Sequence, residues 1–143
     1  MRIEKLYPMI SARLKIIDVA ATVHNAAATL TIPGIGLAIV CSPDGRAKGV
    51  LSKSDLIRHI ADHGRSNSVE ELMSPKIIAC HPADDLQAAW QVMISNRLQN
   101  MPVLSAEAKP LGVLDMRDVL KVLYEQEQLQ EKMMENYIAG IGY

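Results

Sequence analysis

The chain has 143 residues, 49% of them apolar and 22% charged, enough to bury the core of one domain. Its 15 basic and 16 acidic residues leave a formal net charge of −1, which provides no basic field to hold a phosphate backbone and excludes nucleic acid as a main partner. No apolar run approaches the roughly twenty residues that cross a bilayer, and Met1-Arg2-Ile3-Glu4-Lys5 opens without the apolar stretch of a secretory signal, so a cytoplasmic chain without membrane association is expected.

Residues 1–15 carry scattered apolar positions (Ile3, Leu6, Ile10, Leu14) and Pro8, and read as an irregular or short helical lead-in. An apolar stretch from Ile16 reads as a strand. Residues 25–31 are alanine-rich and helical until Pro33-Gly34 and Gly36 stop them. Leu37-Ala38-Ile39-Val40-Cys41 is a buried strand, joined through the tight-turn signal Pro43-Asp44-Gly45 to Gly49-Val50-Leu51 as a hairpin. A helix is expected over residues 54–63. Residues 64–68 (Gly-Arg-Ser-Asn-Ser) then form a polar linker, and Val69-Glu70-Glu71-Leu72-Met73 a helical turn ended by Ser74-Pro75. The order repeats: a strand at residues 77–80, a turn at His81-Pro82, a helix over 85–96 with Asp84 or Asp85 as N-cap, and strands at 102–104 and 111–114. A last helix opens near Asp115 and runs to about Tyr137. Leu129, Met133 and Tyr137 recur there at four-residue steps against Glu125, Glu127, Glu131 and Glu135, the pattern of an amphipathic tail.

That recurrence is a duplication. Gly49-Val50-Leu51-Ser52-Lys53-Ser54-Asp55 returns sixty-three residues later as Gly112-Val113-Leu114-Asp115-Met116-Arg117-Asp118. With no gap, Thr22-Val23 falls on Asp85-Leu86, Ala26 on Ala89, Leu30 on Met93, and Ile39-Val40-Cys41 on Pro102-Val103-Leu104. Two copies of one supersecondary unit bury their apolar faces against each other, so function is sought at the seam. The expected division is a lead-in at 1–15, repeats at 16–64 and 77–124, a linker at 65–76 and a helical tail at 125–143.

In each heptad an apolar strand ends and a helix begins. Ser52 and Asp115 stand where the first helical N–H groups lack partners, and Ser-x-x-Asp and Asp-x-x-Asp resemble capping motifs. Capping accounts for the first polar position; the glycine and the second aspartate are less fully explained by it. The same helix start is also an anion site, and a carboxylate there can accept two hydrogen bonds from a vicinal diol.

With these motifs, with Glu71-Leu72-Met73-Ser74-Pro75 leading into Ile77-Ile78-Ala79-Cys80-His81-Pro82, and with Asn100-Met101-Pro102-Val103-Leu104, the chain resembles a tandem pair of cystathionine β-synthase (CBS) domains, a Bateman module, over about residues 16–124. The C-terminal Tyr137-Ile138-Ala139-Gly140-Ile141-Gly142-Tyr143 resembles the ending of stand-alone bacterial members. The resemblance implies an α+β fold of two β-α-β-β-α repeats with pseudo-twofold symmetry, and two clefts that take adenine nucleotides (AMP, ADP or ATP, with NAD possible) as regulatory ligands, no cofactor being required. Carried over, Gly49, Ser52, Lys53 and Asp55 serve the first cleft, with Ile16 and Ile17 near the base. Asp115, Arg117 and Asp118 serve the second, with Ile78, Ala79, Cys80, Met101 and Pro102 as its wall. Asp115 replaces the usual hydroxyl and is expected to repel phosphate, and Gln99-Asn100 stand where relatives often carry basic residues, although Asp118 can still hold a ribose and Arg117 can offset some of the charge. The first cleft is therefore favoured, although Gly36-Leu37 bring no cation there and Lys53, Arg58 or the other repeat must.

Other groups carry less. His59 and His63, four apart on the expected helix with Asp62 beside them, have no third ligand in sequence and read as helix surface. Cys41 and Cys80 fall in strands of different copies and read as buried free thiols. Trp90 and the methionines read as core or interface filling. No nucleophile comes with a base and orienting group, and no P-loop or dinucleotide fingerprint is present, so a non-enzyme is expected. The leading reading is an adenine-nucleotide sensor acting on a protein partner; the alternative is a structural interaction protein with vestigial clefts. A homodimer is expected under both.

Overall fold

The computed structural model describes residues 1–64 and 68–140. After a 3₁₀ turn at Ile3–Leu6 the chain forms α1 (Tyr7–Ala12), β1 (Ile16–Asp18), α2 (Val23–Leu30), β2 (Leu37–Cys41), β3 (Ala47–Ser52) and α3 (Lys53–Ala61). It continues through α4 (Val69–Leu72), α5 (Leu86–Ser95), β4 (Asn100–Leu104), β5 (Pro110–Asp115) and α6 (Met116–Ile138). Residues 65–67 of the expected linker and 141–143 of the expected tail lie outside the described residues.

The hairpins obey the sixty-three-residue offset position by position. Leu37 faces Ser52 and Val40 faces Gly49; Asn100 faces Asp115 and Val103 faces Gly112. The register slips between Val40 and Cys41, and again between Val103 and Leu104. The turns match as well. Ser42 N–H bonds Arg46 O and Gly45 N–H bonds Ser42 O; Ser105 N–H bonds Lys109 O and Ala108 N–H bonds Ser105 O. Gly45 has φ +85°, and Ala108, its counterpart, is held in the same left-handed region at +62°. Helix starts agree: the Thr22 hydroxyl accepts from Asn25 N–H at 3.1 Å, and the Asp85 carboxylate from Ala88 N–H at 3.1 Å.

The copies differ at the early strand. In the first, β1 runs parallel to β2, with Ile39 N–H bonding Lys15 O and Val19 N–H bonding Cys41 O. At the same offset stand Pro102 and Pro82, which have no N–H to give. The strand expected at 77–80 is thereby reduced to one bridge, Cys80 with Val103, held by Cys80 N–H to Pro102 O and Leu104 N–H to Cys80 O.

Each repeat receives an arm from the segment that precedes the other. Ile3 and Ile10 are fully buried in the core of the second repeat, with Cys80, Leu86, Met93, Met101 and Leu114. Burying two such side chains contributes about 1.5–3 kcal/mol each. The segment after α4 crosses β3, where Val50 and Ser74 exchange both backbone hydrogen bonds at 2.9 Å. Glycines admit both arms: a Cβ on Gly112 would stand 2.7 Å from Ile10 Cγ1, and one on Gly49 would stand 2.5 Å from Met73 Sδ. The lead-in thus reaches both repeats: Ile3 and Ile10, with Leu6 and Met9, pack in the second repeat's core, while Lys15 O accepts from Ile39 N–H of the first. A further cluster joins the repeats, Ile39 and Cys41 meeting Leu104 and Val113 with Leu14 and Ile77 beside them. Among the described residues no helix is long and apolar enough to cross a membrane.

Candidate functional site

At the first strand-to-helix junction, Ser52 and Asp55 form a capping box. Asp55 Oδ2 accepts from Ser52 N–H at 2.8 Å and from the Ser52 hydroxyl at 3.1 Å, while Oδ1 accepts from Arg58 Nη2 at 3.1 Å. Asp55 is only 6% exposed, so its carboxylate is committed to the helix start.

The second junction is built differently. Asp115 caps α6 by accepting from Arg117 N–H at 2.9 Å, and its two oxygens also take Arg117 Nε and Nη2 at 2.9 Å each. Burial pushes the Asp115 carboxyl up, but the Arg117 hydrogen bonds together with the charges of Arg13 and Arg117 outweigh it, so the group lies below the usual carboxylate range. The Asp115 charge, expected to repel phosphate and to be offset in part by Arg117, is paired with that residue's guanidinium through two bonds.

Asp118, one turn further on, is held by an arginine that comes from the arm before β1. Arg13 Nε donates to Asp118 Oδ2 and Nη2 to Oδ1, both at 2.9 Å. Arg13 Nη1 donates to Gly34 O at 2.6 Å and stands 3.9 Å from Asp115 Oδ2. The side-chain bond to Asp118 holds the Arg13 guanidinium above its ordinary range, against the opposing effect of burial. Beside this pair opens a hollow of about 350 Å³ lined by Met9, Ala12, Arg13, Pro33, Gly34, Ile35 and Asp118. Its walls come from α1, from the loop before β2 and from the start of α6, so it lies between the repeats. A second hollow of about 330 Å³, lined by Met1, Asp85, Leu86 and residues of α6, lies away from both motifs. Neither of these two hollows is lined by Asp55, the aspartate of the cleft favoured from the sequence.

The other expected site residues divide into surface and core. Ser52, Ile78 and Ala79 are half-buried, and Lys53, Arg117 and Ile16 are exposed. Gly49 is covered by Met73 and Ser74. Ile17, Cys80, Met101 and Pro102 are buried. Met101 has no exposed surface and Cys80 Sγ faces Pro102 O at 3.6 Å, so the wall expected from these side chains is core instead. Arg13 was not anticipated. The available signal was Lys76, a second basic residue at the same place in the other copy.

Cys41 and Cys80 are free and buried, and burial pushes the Cys80 thiol up to about 12. Helix α3 ends at Ala61, so His63, with φ +61°, lies beyond the helix and does not share a face with His59. Among the described residues no group of three or more His, Cys, Asp or Glu is placed to hold a metal. Trp90 packs against the second repeat's core.

The family model for the CBS domain matches the chain twice, over residues 7–62 and 69–125. The CBS domain-containing protein CBSX3, mitochondrial, of Arabidopsis thaliana is 26% identical over 129 residues, covering 85% of this chain and 62% of its own length, so the chain spans less than two thirds of that relative. The CBS domain pair of protein MJ0100, in complex with 5′-methylthioadenosine and S-adenosyl-L-methionine, has the same fold, with a TM-score of 0.78 and 15% identity over 88% of this chain and 98% of that one. CBSX2 in complex with AMP gives a TM-score of 0.72 and 18% identity over 85% of this chain and 97% of that one. The matched spans begin where α1 and near where α4 begin, the two arms that cross between repeats. With the duplicated hairpins, the crossed arms and both matches in register, this chain belongs to the CBS domain family as a tandem pair.

Proposed function

We propose that the chain is a non-catalytic regulatory module that binds an adenine nucleotide in the cleft at Asp118. The observation that carries this reading is a carboxylate at the first turn of α6, 17% exposed, lining a hollow between the repeats and held by a side chain rather than by backbone. A carboxylate so placed suits a ribose diol, and the helix start beside it suits phosphate oxygens. Relatives of the same fold in complex with AMP and with S-adenosyl compounds support the ligand class. Asp55, engaged with its own N-cap and Arg58, serves in this reading as a structural cap with at most a weak second site. AMP, ADP and ATP are the preferred candidates, NAD the next. Because the hollow is walled by both repeats, a ligand that fits one arrangement of them better than another shifts their relative position, and a protein partner reads the shift.

Thermal shift with each nucleotide tests the proposal. A ligand at about a hundred times its Kd stabilises the native state by roughly 2.7 kcal/mol, which at about 4 °C per kcal/mol raises Tm by some 10 °C. The absence of any shift at millimolar nucleotide favours an interaction protein with vestigial clefts. The observation behind that second reading is the apolar surface on the last helix of each repeat: Ile57 and Ile60 on α3, and Leu120 and Tyr124 on α6, are all more than half exposed. Under both readings these faces pack against a second copy, giving a homodimer.

A further inference from the structure

We infer that Arg13 sets the ligand class of the Asp118 cleft, admitting a 5′-phosphorylated nucleotide and disfavouring the corresponding nucleoside; the inference rests on the reading of that cleft as a nucleotide site. The four charges there form a closed set. Asp115 is matched by Arg117 through paired 2.9 Å bonds, and Asp118 by Arg13 through another such pair. A ribose diol that takes the Asp118 oxygens must displace the guanidinium now holding both of them. Arg13 is three-quarters buried at its side chain, and the one other carboxylate near it, Asp115 at 3.9 Å, is already held by Arg117 through two 2.9 Å bonds, so a displaced guanidinium keeps only that longer, shared approach. A neutral nucleoside leaves that cation with only its 3.9 Å approach to an Asp115 shared with Arg117, in a partly desolvated place. A nucleotide brings its own anion, and the Arg13 side chain is already on the hollow's wall beside Pro33-Gly34-Ile35. Arg13 thus exchanges one anion for another, Asp118 for phosphate, while the diol takes the carboxylate.

Calorimetric titration of the full chain with AMP and with adenosine reads the inference as a ratio of dissociation constants. A charge-assisted contact is worth roughly 1.5–3 kcal/mol, so wild type is expected to bind AMP about 30-fold more tightly than adenosine. In Arg13→Gln the ratio is expected to fall to about 3-fold or less, with adenosine binding at least as well as it does to wild type because Asp118 is no longer plugged. A ratio unchanged by the substitution, or both ligands weakened alike, overturns the role given to Arg13 while leaving the cleft as a site. Failure of both ligands to bind wild type overturns the cleft reading and this inference with it. Salt dependence of wild type gives a reading that does not require the variant to fold. AMP affinity is expected to fall with ionic strength while adenosine affinity stays level or rises, because salt also weakens the Arg13 to Asp118 pair that adenosine must break. Parallel loss of both affinities with salt counts against the exchange.

Discussion

Gly112→Ala tests the crossed arms through the sign of its effect. Gly112 does not have a positive φ, so alanine is conformationally tolerated there. Were the space open, the substitution would stabilise the chain by about 0.4–1 kcal/mol, because the unfolded state loses freedom. The space is not open. The added carbon would meet Ile10 Cγ1 at 2.7 Å, Ile10 Cβ at 2.8 Å and the Ile10 carbonyl carbon at 2.9 Å. A rotamer change moves only the first of these, so α1 as a whole must shift off β5. Overpacking of this kind costs about 1–3 kcal/mol, leaving a net loss of about 1–2 kcal/mol. At about 4 °C per kcal/mol for a chain of this size, Tm falls by some 4–8 °C in a calorimetric or circular dichroism melt. Ile10→Ala in the Gly112→Ala background does not restore Tm, since the main-chain contact remains. An unchanged or raised Tm in Gly112→Ala would refute the packing of the N-terminal arm on the second repeat.

Ala108→Gly is expected to raise stability by about 0.5–1 kcal/mol in urea unfolding, because Ala108 is held at φ +62° where its counterpart is Gly45; a loss would show that the turn does not hold this conformation. Acid should destabilise the chain through Asp115. Its carboxyl lies below its unfolded range, so its contribution is present above about pH 4 and fades as pH drops through the lower folded value. Tm against pH should therefore slope less steeply between about pH 5 and pH 3 in Asp115→Asn than in wild type, and an equal slope would deny the Arg117 pairing. Thiol titration with a disulfide reagent at pH 8 should find native Cys80 almost inert, its thiolate fraction being about one in ten thousand, with Cys41 also held back by burial. Both should react at once in denaturant; fast reaction of the native chain would place a thiol at the surface.

Local chemistry was legible because it repeats. Asp85 declares a helix start by a side chain that needs no distant partner, and Pro43-Asp44-Gly45 declares its turn in the same way; Thr22 caps α2 alike, although that helix was expected only from residue 25. The duplicated heptads located both carboxylates at strand-to-helix junctions, and the family resemblance that followed from them was correct. The early strand of the second copy was misjudged although Pro82 and Pro102 were in view. Apolar periodicity marks which residues are buried, whereas a ladder depends on which backbone donors exist, and both missing donors belong to that one strand pair. The arms were not legible. Ile10 meets Gly112 and Arg13 meets Asp118 across more than a hundred residues of chain, and no local pattern encodes which sheet a short helix will cover. The charge balance at Asp115 was legible in part: Arg117, two residues on, is expected to offset some of it, whereas Arg13, brought from the arm, is set by tertiary structure.

The most direct measurement is calorimetric titration of AMP into wild type, Asp118→Asn and Asp55→Asn, with circular dichroism to establish that each is folded. The account predicts strong binding at no more than one AMP per chain, weakened at least about 10-fold in Asp118→Asn and by no more than about 3-fold in Asp55→Asn. Wild-type affinity in Asp118→Asn, together with loss of binding in Asp55→Asn, would place the ligand at the other repeat and contradict the account.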